Sequence, residues 1–117
     1  MKEAVKEAVK EAGVKKFAEN LKKLPGISHL AAIRLLDGDE VLLIENKPGA
    51  QGSLAVYNHL AQTYGAITPD AAREGLDIFA EHSEDARLHP GKHPNIDRLL
   101  GVLEEKQTLR VKHLFAV

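Results

Sequence analysis

Two short loops in this sequence combine glycine, proline and hydrogen-bond donors, and they are the places where the chain could bind a ligand. The first, residues 46–52, reads Asn-Lys-Pro-Gly-Ala-Gln-Gly and leads to Ser53. The second, residues 89–94, reads His-Pro-Gly-Lys-His-Pro and leads to Asn95. Both precede predicted helices, and the free N–H groups at a helix N-terminus attract anions. We therefore predict an anion site built from both loops.

Donor and cationic side chains in and beside the loops are the candidate binding residues of this site. They are Lys47, Gln51, Ser53, His89, Lys92, His93, Asn95 and Arg98. A purely structural explanation competes with a ligand. Each loop places proline and glycine at the two middle positions of a type II turn, and Ser53 and Asn95 are suited to cap the helices that follow.

Histidines near the second loop raise the alternative of a metal site. Its nitrogen and oxygen ligands would be His82, His89 and His93, with Glu81 or Asp85. Their spacing matches no zinc signature, and neighbouring lysine and arginine side chains would oppose a cation. We therefore predict neither a metal nor another cofactor.

Catalytic motifs are missing from the sequence. It contains no G-x-S-x-G, no H-E-x-x-H and no cysteine nucleophile. His89 or His93 could still act as a general base, as could a histidine in any exposed loop. The sequence therefore favours a binding function over an enzymatic one. A hydrolase-like enzyme with a histidine base is the weaker alternative.

The amino-acid composition is typical of an ordinary globular protein. Its 117 residues suit a single domain, and the absence of cysteine excludes disulfides and thiolate zinc sites. A net charge of −1 gives no overall attraction to nucleic acid. No apolar run is long enough to cross a bilayer, and the start of the chain lacks the apolar core of a secretion signal. We expect a cytoplasmic protein without membrane or nucleic-acid partners.

The N-terminus carries a Lys-Glu-Ala repeat that predicts a helix over about residues 2–23, ended by Pro25-Gly26. Its Ala and Val residues form a narrow stripe that could dock either on this chain's own sheet or on another copy. In the second case residues 1–13 are a projecting extension of the domain. The alternative function is accordingly an interaction module that forms a homodimer through residues 1–24.

The remaining elements follow from turn and cap signals. Asp37-Gly38 between two apolar runs predicts a hairpin. The predicted strands are 30–36, 41–44 and 108–117, and the predicted later helices are 53–64, 68–88 and 95–105. Gly65 fits the end of the first of these helices, and Thr68 fits the start of the next.

The order α-β-β-α-α-α-β predicts an α+β fold with helices on one face of a three-stranded, mainly antiparallel sheet. Following the direction of each element puts the last strand beside strand 30–36, which gives sheet order 2-1-3. Parallel pairing with strand 41–44 is the alternative. The same directions put loops 46–52 and 89–94 at one end. The favoured function is a small cytosolic binding domain that takes an anionic ligand or an acidic partner segment at that end.

Three blocks of the sequence resemble a family of short bacterial proteins catalogued as a domain of unknown function. They are NKPGAQGSLAVY (46–57), GAITPDAAREGL (65–76) and GKHPNIDRLL (91–100). The resemblance covers about residues 17–117 and leaves the Lys-Glu-Ala repeat as an addition. It implies a bacterial, single-domain, cytosolic protein. The family has no assigned activity, so the resemblance implies no role for any residue.

Overall fold

The computed structural model describes residues 16–117 of the chain. Its first helix, α1, is described over residues 16–21. The later elements are β1 (Leu30–Asp37), β2 (Asp39–Glu45), α2 (Gln51–Tyr64), α3 (Pro69–Phe79), α4 (Glu81–Leu88), α5 (Pro94–Glu105) and β3 (Arg110–Phe115). The predicted α+β fold and element order are confirmed, with the predicted helix 68–88 divided into α3 and α4. Most of the predicted N-terminal helix, and the whole extension 1–13, lie outside the described residues.

The hairpin forms where Asp-Gly predicts it. Gly38 has a φ of +79°, which glycine adopts without the steric penalty that a Cβ brings. β1 and β2 pair antiparallel from this turn, with Asp37 opposite Asp39. A register shift between Leu35 and Leu36 marks a bulge, which adds local twist to the ribbon.

The sheet has the order β2-β1-β3, as predicted. β3 runs antiparallel to β1, so the alternative of a parallel pair with residues 41–44 is wrong. Ile33 pairs with Ile44 on one side and with His113 on the other. Because side chains alternate along a strand, these three residues share one face of the sheet.

The core lies between that face and the helices. α2 contacts both β1 and β2, and α3 packs against α2 and α5. Tyr57 of α2 is fully buried and its hydroxyl donates a hydrogen bond of 2.6 Å to the Asn95 carbonyl oxygen at the start of α5. Burial of its ring contributes roughly 1.5–3 kcal/mol, as for other large side chains. Within residues 16–117, no helix combines the length and apolar character needed to span a membrane.

The sequence patterning does not predict the break between α3 and α4. Ala80 has a φ of +52° and a ψ of −114°, although no glycine or proline stands there. Ser83 is buried, and its hydroxyl donates a hydrogen bond of 2.6 Å to the Leu76 carbonyl oxygen. Its own N–H donates to the Ala80 carbonyl oxygen at 3.0 Å. Ser83 thus stabilises a turn that competes with the continuous helix.

Candidate ligand-binding site

The two loops meet at one end of the molecule and line a single open cleft of about 620 Å³. Four segments form its wall: α1, the first loop with the start of α2, the α3–α4 junction, and the second loop with the start of α5. We call this the loop cleft. Gln51, Ser53, Lys92, His93 and Asn95, all predicted site residues, line it.

Both loops have the predicted turns. Gly49 has a φ of +88°, and the Ala50 N–H donates to the Lys47 carbonyl oxygen at 3.0 Å. Gly91 has a φ of +93°, and the Lys92 N–H donates to the His89 carbonyl oxygen at 3.1 Å. A positive φ at the third position of a hydrogen-bonded turn is typical of type II turns.

Side chains tie both loops to the rest of the domain. Asn46 Nδ2 donates to the carbonyl oxygens of Ile27 and Leu30 at 3.1 and 2.8 Å, which holds the first loop against the segment before β1. Asp97 of α5 accepts a hydrogen bond of 2.9 Å from the Gly91 N–H. The loops are therefore held in place by side-chain hydrogen bonds at this end of the molecule.

The helix starts differ from the prediction. α2 begins at Gln51 and α5 at Pro94, so Ser53 and Asn95 lie inside the first turn and cap neither helix. Neither helix start has a capping side chain, and α2 has no acidic residue in its first turn. By contrast, the predicted cap Thr68 accepts a hydrogen bond of 3.0 Å from the Ala71 N–H. The loop cleft is thus bordered by two helix N-termini without side-chain caps.

Three predicted site residues lie outside the wall of the cleft. Lys47 Nζ is 3.6 Å from Glu45 Oε1. Arg98 Nη2 donates to the Val41 carbonyl oxygen at 3.4 Å, on the side of the sheet. His89 contacts Asp85 instead of facing the cleft. Their positions in the sequence indicated that they lie close to the two loops. The direction of each side chain, however, depends on the packing around it.

Asp85 of α4 is the partner of the basic residues in the second loop. Its Oδ2 atom lies 2.7 Å from His93 Nε2 and 2.9 Å from Lys92 Nζ, and its Oδ1 atom lies 3.1 Å from His89 Nδ1. The hydrogen bond with His93, followed by that from Lys92, holds the pKa of Asp85 well below the usual carboxyl range. Asp97, the nearby acid in sequence, instead contacts backbone.

The predicted alternative metal ligands are not assembled as a site. The rings of His82 and His93 are 5.7 Å apart, centroid to centroid, and Asp85 is in contact with Lys92. Across residues 16–117, no group of three or more histidine, aspartate or glutamate side chains is arranged to hold a metal ion.

Aromatic side chains form another part of the cleft, which we call the aromatic wall. The Phe17 ring stacks on Phe79 at 5.2 Å and meets the His82 ring edge-on at 5.0 Å, both measured between centroids. The Phe17 N–H also donates to Glu81 Oε1 at 3.0 Å. Gly52 allows this close packing, since a Cβ there would lie 3.2 Å from the Phe17 ring. Phe17 and Phe79 lie outside both loops in the sequence, so the loop motifs did not indicate that these rings border the cleft.

The chain is thus a small α+β domain with an open cleft that both basic and aromatic side chains line. Residues 17–113 match the model of the family DUF2322, described as an uncharacterized protein conserved in bacteria, and the chain belongs to that family. The comparison with curated proteins found no match, and neither did the comparison with solved structures.

Proposed function

We propose that the chain is a small cytosolic binding domain that takes an anionic small molecule in the loop cleft. The observation that carries this proposal is the chemistry of the cleft wall. Lys92, His82 and His93 contribute to that wall, and among the described residues that line it there is no aspartate or glutamate. A cleft with basic groups and no carboxylate attracts anions.

The backbone adds to the positive potential of the loop cleft. The starts of α2 and α5 both contribute residues to the wall. A helix N-terminus carries roughly half a positive elementary charge and unpaired N–H donors, and the effect is strongest within the first turn. Asp85 offsets part of the charge of Lys92 and His93, but it does not belong to the wall. An anion in the cleft would therefore contact donors of the wall, while Asp85 stays in contact with Lys92 and His93, and Asp97 in the first turn of α5 offsets part of the charge of that helix start.

The test is a binding measurement by calorimetry and thermal unfolding with inorganic phosphate and methyl phosphate. Specific binding to the folded state raises the melting temperature. We expect Lys92→Gln to weaken binding by roughly tenfold or more, because a charge-assisted hydrogen bond contributes about 1.5–3 kcal/mol. Lys47→Gln is the matched control, since Lys47 contacts Glu45 outside the wall.

Two results would overturn the proposal for a small anion. One is the absence of any stabilisation by the phosphates at millimolar concentration. The other is an equal loss of affinity in Lys92→Gln and Lys47→Gln, which would indicate only general attraction to positive charge. Selective binding of an acidic peptide in place of small anions would assign the cleft to a partner segment.

A hydrolase-like enzyme is a second candidate, favoured by the hydrogen bond between His93 and Asp85. His93 lines the cleft, and its Nε2 atom is 2.7 Å from Asp85 Oδ2. A carboxylate in this position orients the imidazole, and the other ring nitrogen, Nδ1, would accept the proton of an attacking water. The test is hydrolysis of p-nitrophenyl phosphate and p-nitrophenyl acetate. If the chain is such an enzyme, the wild-type protein hydrolyses one of these esters and His93→Gln abolishes the hydrolysis. Hydrolysis by the wild-type protein no faster than in buffer alone would exclude this candidate.

A homodimer formed through residues 1–24 remains the proposal for a protein partner. Residues 1–15 of that segment lie outside the described part of the chain. The support for this proposal is therefore the repeated Lys-Glu-Ala pattern of the sequence.

A further inference from the structure

We propose that the ligand of the loop cleft is an anion joined directly to a ring-sized apolar group, such as an aryl phosphate or an aromatic carboxylate. This inference rests on the proposed function and specifies the chemical class of the ligand. Three features carry it: the size of the cleft, its aromatic wall, and the short distance between that wall and the basic residues.

The cleft is too large for a bare inorganic anion. Its volume is about 620 Å³, within the range of roughly 300–1,000 Å³ that small-molecule sites occupy. A tetrahedral oxyanion fills about two to three times the volume of a water molecule, which is roughly 30 Å³. Most of the cleft would stay filled with water if the ligand were phosphate alone.

The aromatic wall makes the rest of the cleft suitable for an apolar group. Phe17, Leu21 and Phe79 all line the cleft, and Phe17 and Leu21 are only partly buried. Part of the surface of Phe17 and Leu21 is in contact with water, so an apolar group placed against these two side chains would remove that surface from water. A ring is favoured because aromatic pairs gain from stacked or edge-to-face contact beyond the burial of area.

His82 sets how far apart the two parts of the ligand can be. Its ring centroid is 5.0 Å from that of Phe17 and 5.7 Å from that of His93. The aromatic wall and the basic side are thus separated by a single side chain. This short separation fits a ligand whose charged group is attached directly to its ring better than one with a long linker.

The experiment compares four probes on the full chain by calorimetry: inorganic phosphate, methyl phosphate, phenyl phosphate and phenol. We expect phenyl phosphate to bind at least tenfold more tightly than methyl phosphate, and phenol to bind much more weakly than either. Lys92→Gln should weaken both phosphate esters by a similar factor. Leu21→Ala should weaken phenyl phosphate by a larger factor than methyl phosphate. Leu88→Ala changes an exposed leucine outside the wall and should affect neither.

The outcomes separate this inference from the proposed function. Equal affinity for inorganic, methyl and phenyl phosphate would overturn the aromatic part and leave an anion site. Binding of phenol as tight as that of phenyl phosphate, unaffected by Lys92→Gln, would overturn the anion site itself. Binding of none of the probes would overturn both, and tighter binding of an acidic peptide than of phenyl phosphate would replace the small molecule with a protein partner. The probe comparison needs only the wild-type chain, so a variant that fails to fold does not prevent the test.

Discussion

Asp85 determines the electrostatics of the second loop at the scale of single residues. It contacts His89, Lys92 and His93, three of the basic residues that the sequence places in that loop. The carboxylate draws these side chains toward α4 and offsets part of their charge. Lys92 and His93 still line the cleft while paired with Asp85, whereas His89 does not. Asp85 is thus the partner of all three basic side chains of the loop, and only two of them also line the cleft.

We predict that Asp85→Asn lowers the free energy of unfolding at pH 7 and that this loss shrinks in acid. The pKa of Asp85 is depressed in the folded state by His93 and Lys92. Its contribution to stability is therefore complete above the unfolded-state carboxyl pKa of about 3.9, and it is lost as the pH falls through the lower folded-state value. Urea unfolding of wild type and variant from pH 7 to pH 3 measures the difference.

Glu84→Gln is the control for this prediction. Glu84 precedes Asp85 on the same helix, but its exposed carboxylate is 3.6 Å from Arg87 and makes no contact with the loop. An exposed ion pair of this kind contributes little to stability. A difference between Asp85→Asn and wild type that stays constant from pH 7 to pH 3 would contradict the proposed role of the charge.

Helix packing accounts for the position of the cleft at the scale of elements. α3 lies between α2 and α5, and the start of α2 approaches α1. Glycines permit both approaches: Gly52 faces the Phe17 ring, and Gly75 lies between Leu60 of α2 and Leu99 of α5. The helix starts that border the cleft are held in place by these contacts.

We predict opposite effects for two glycine-to-alanine substitutions in helices. A Cβ at Gly75 would lie 2.7 Å from Leu99 Cδ1 and 2.8 Å from Leu60 Cδ1, and both leucines are fully buried. Overpacking costs about 1–3 kcal/mol and exceeds the gain in helix propensity of about 1 kcal/mol. A Cβ at Gly101 of α5 would meet no atom within 4 Å apart from its chain neighbours and the backbone of its own helix, so Gly101→Ala should stabilise by about 0.5–1 kcal/mol.

Thermal and urea unfolding of the two variants provide the measurement. Each variant gains the same helix propensity, so the difference between them isolates the steric effect at Gly75. Equal stabilisation by both substitutions would show that Leu60 and Leu99 move aside without cost, contrary to the close packing of α2, α3 and α5.

At the scale of the whole molecule, α1 joins the N-terminal segment to the domain. Its described contacts with the α3–α4 region include the Phe17 ring on Phe79 and the Asn20 side-chain amide, which donates to the Ile78 carbonyl oxygen at 2.9 Å. The family match also begins at residue 17. The domain that forms the cleft is therefore expected to need α1 but not the Lys-Glu-Ala repeat that precedes it.

We predict that deletion of residues 1–13 leaves folding and phosphate-ester binding unchanged. Deletion of residues 1–21 should weaken binding of phenyl phosphate, because it also removes Phe17 and Leu21 from the cleft wall. Thermal unfolding and calorimetry measure both effects. Light scattering on the same samples tests the homodimer: a full-chain mass of twice 12.8 kDa that falls to one chain on deletion of residues 1–13 would support it. A single-chain mass before deletion would exclude it.

Local patterns in the sequence were sufficient for much of the architecture. Gly38, Gly49 and Gly91 all adopt the positive φ that their turns require, and Thr68 caps α3. These features depend on neighbouring residues alone. The sheet order followed as well, since the direction of each element in a short, compact chain leaves few arrangements for the last strand.

The sequence by itself determined the hairpin, the turns of both loops, the element order and the antiparallel sheet. Only the tertiary structure decided which side chains share the cleft. Asp85 meets His93 from a different helix, and Phe17 meets Phe79 from a distant part of the chain. Arg98 turns toward Val41 and away from the loop beside which it stands. Such contacts depend on how whole helices pack, which neither periodicity nor the spacing of residues along the chain encodes.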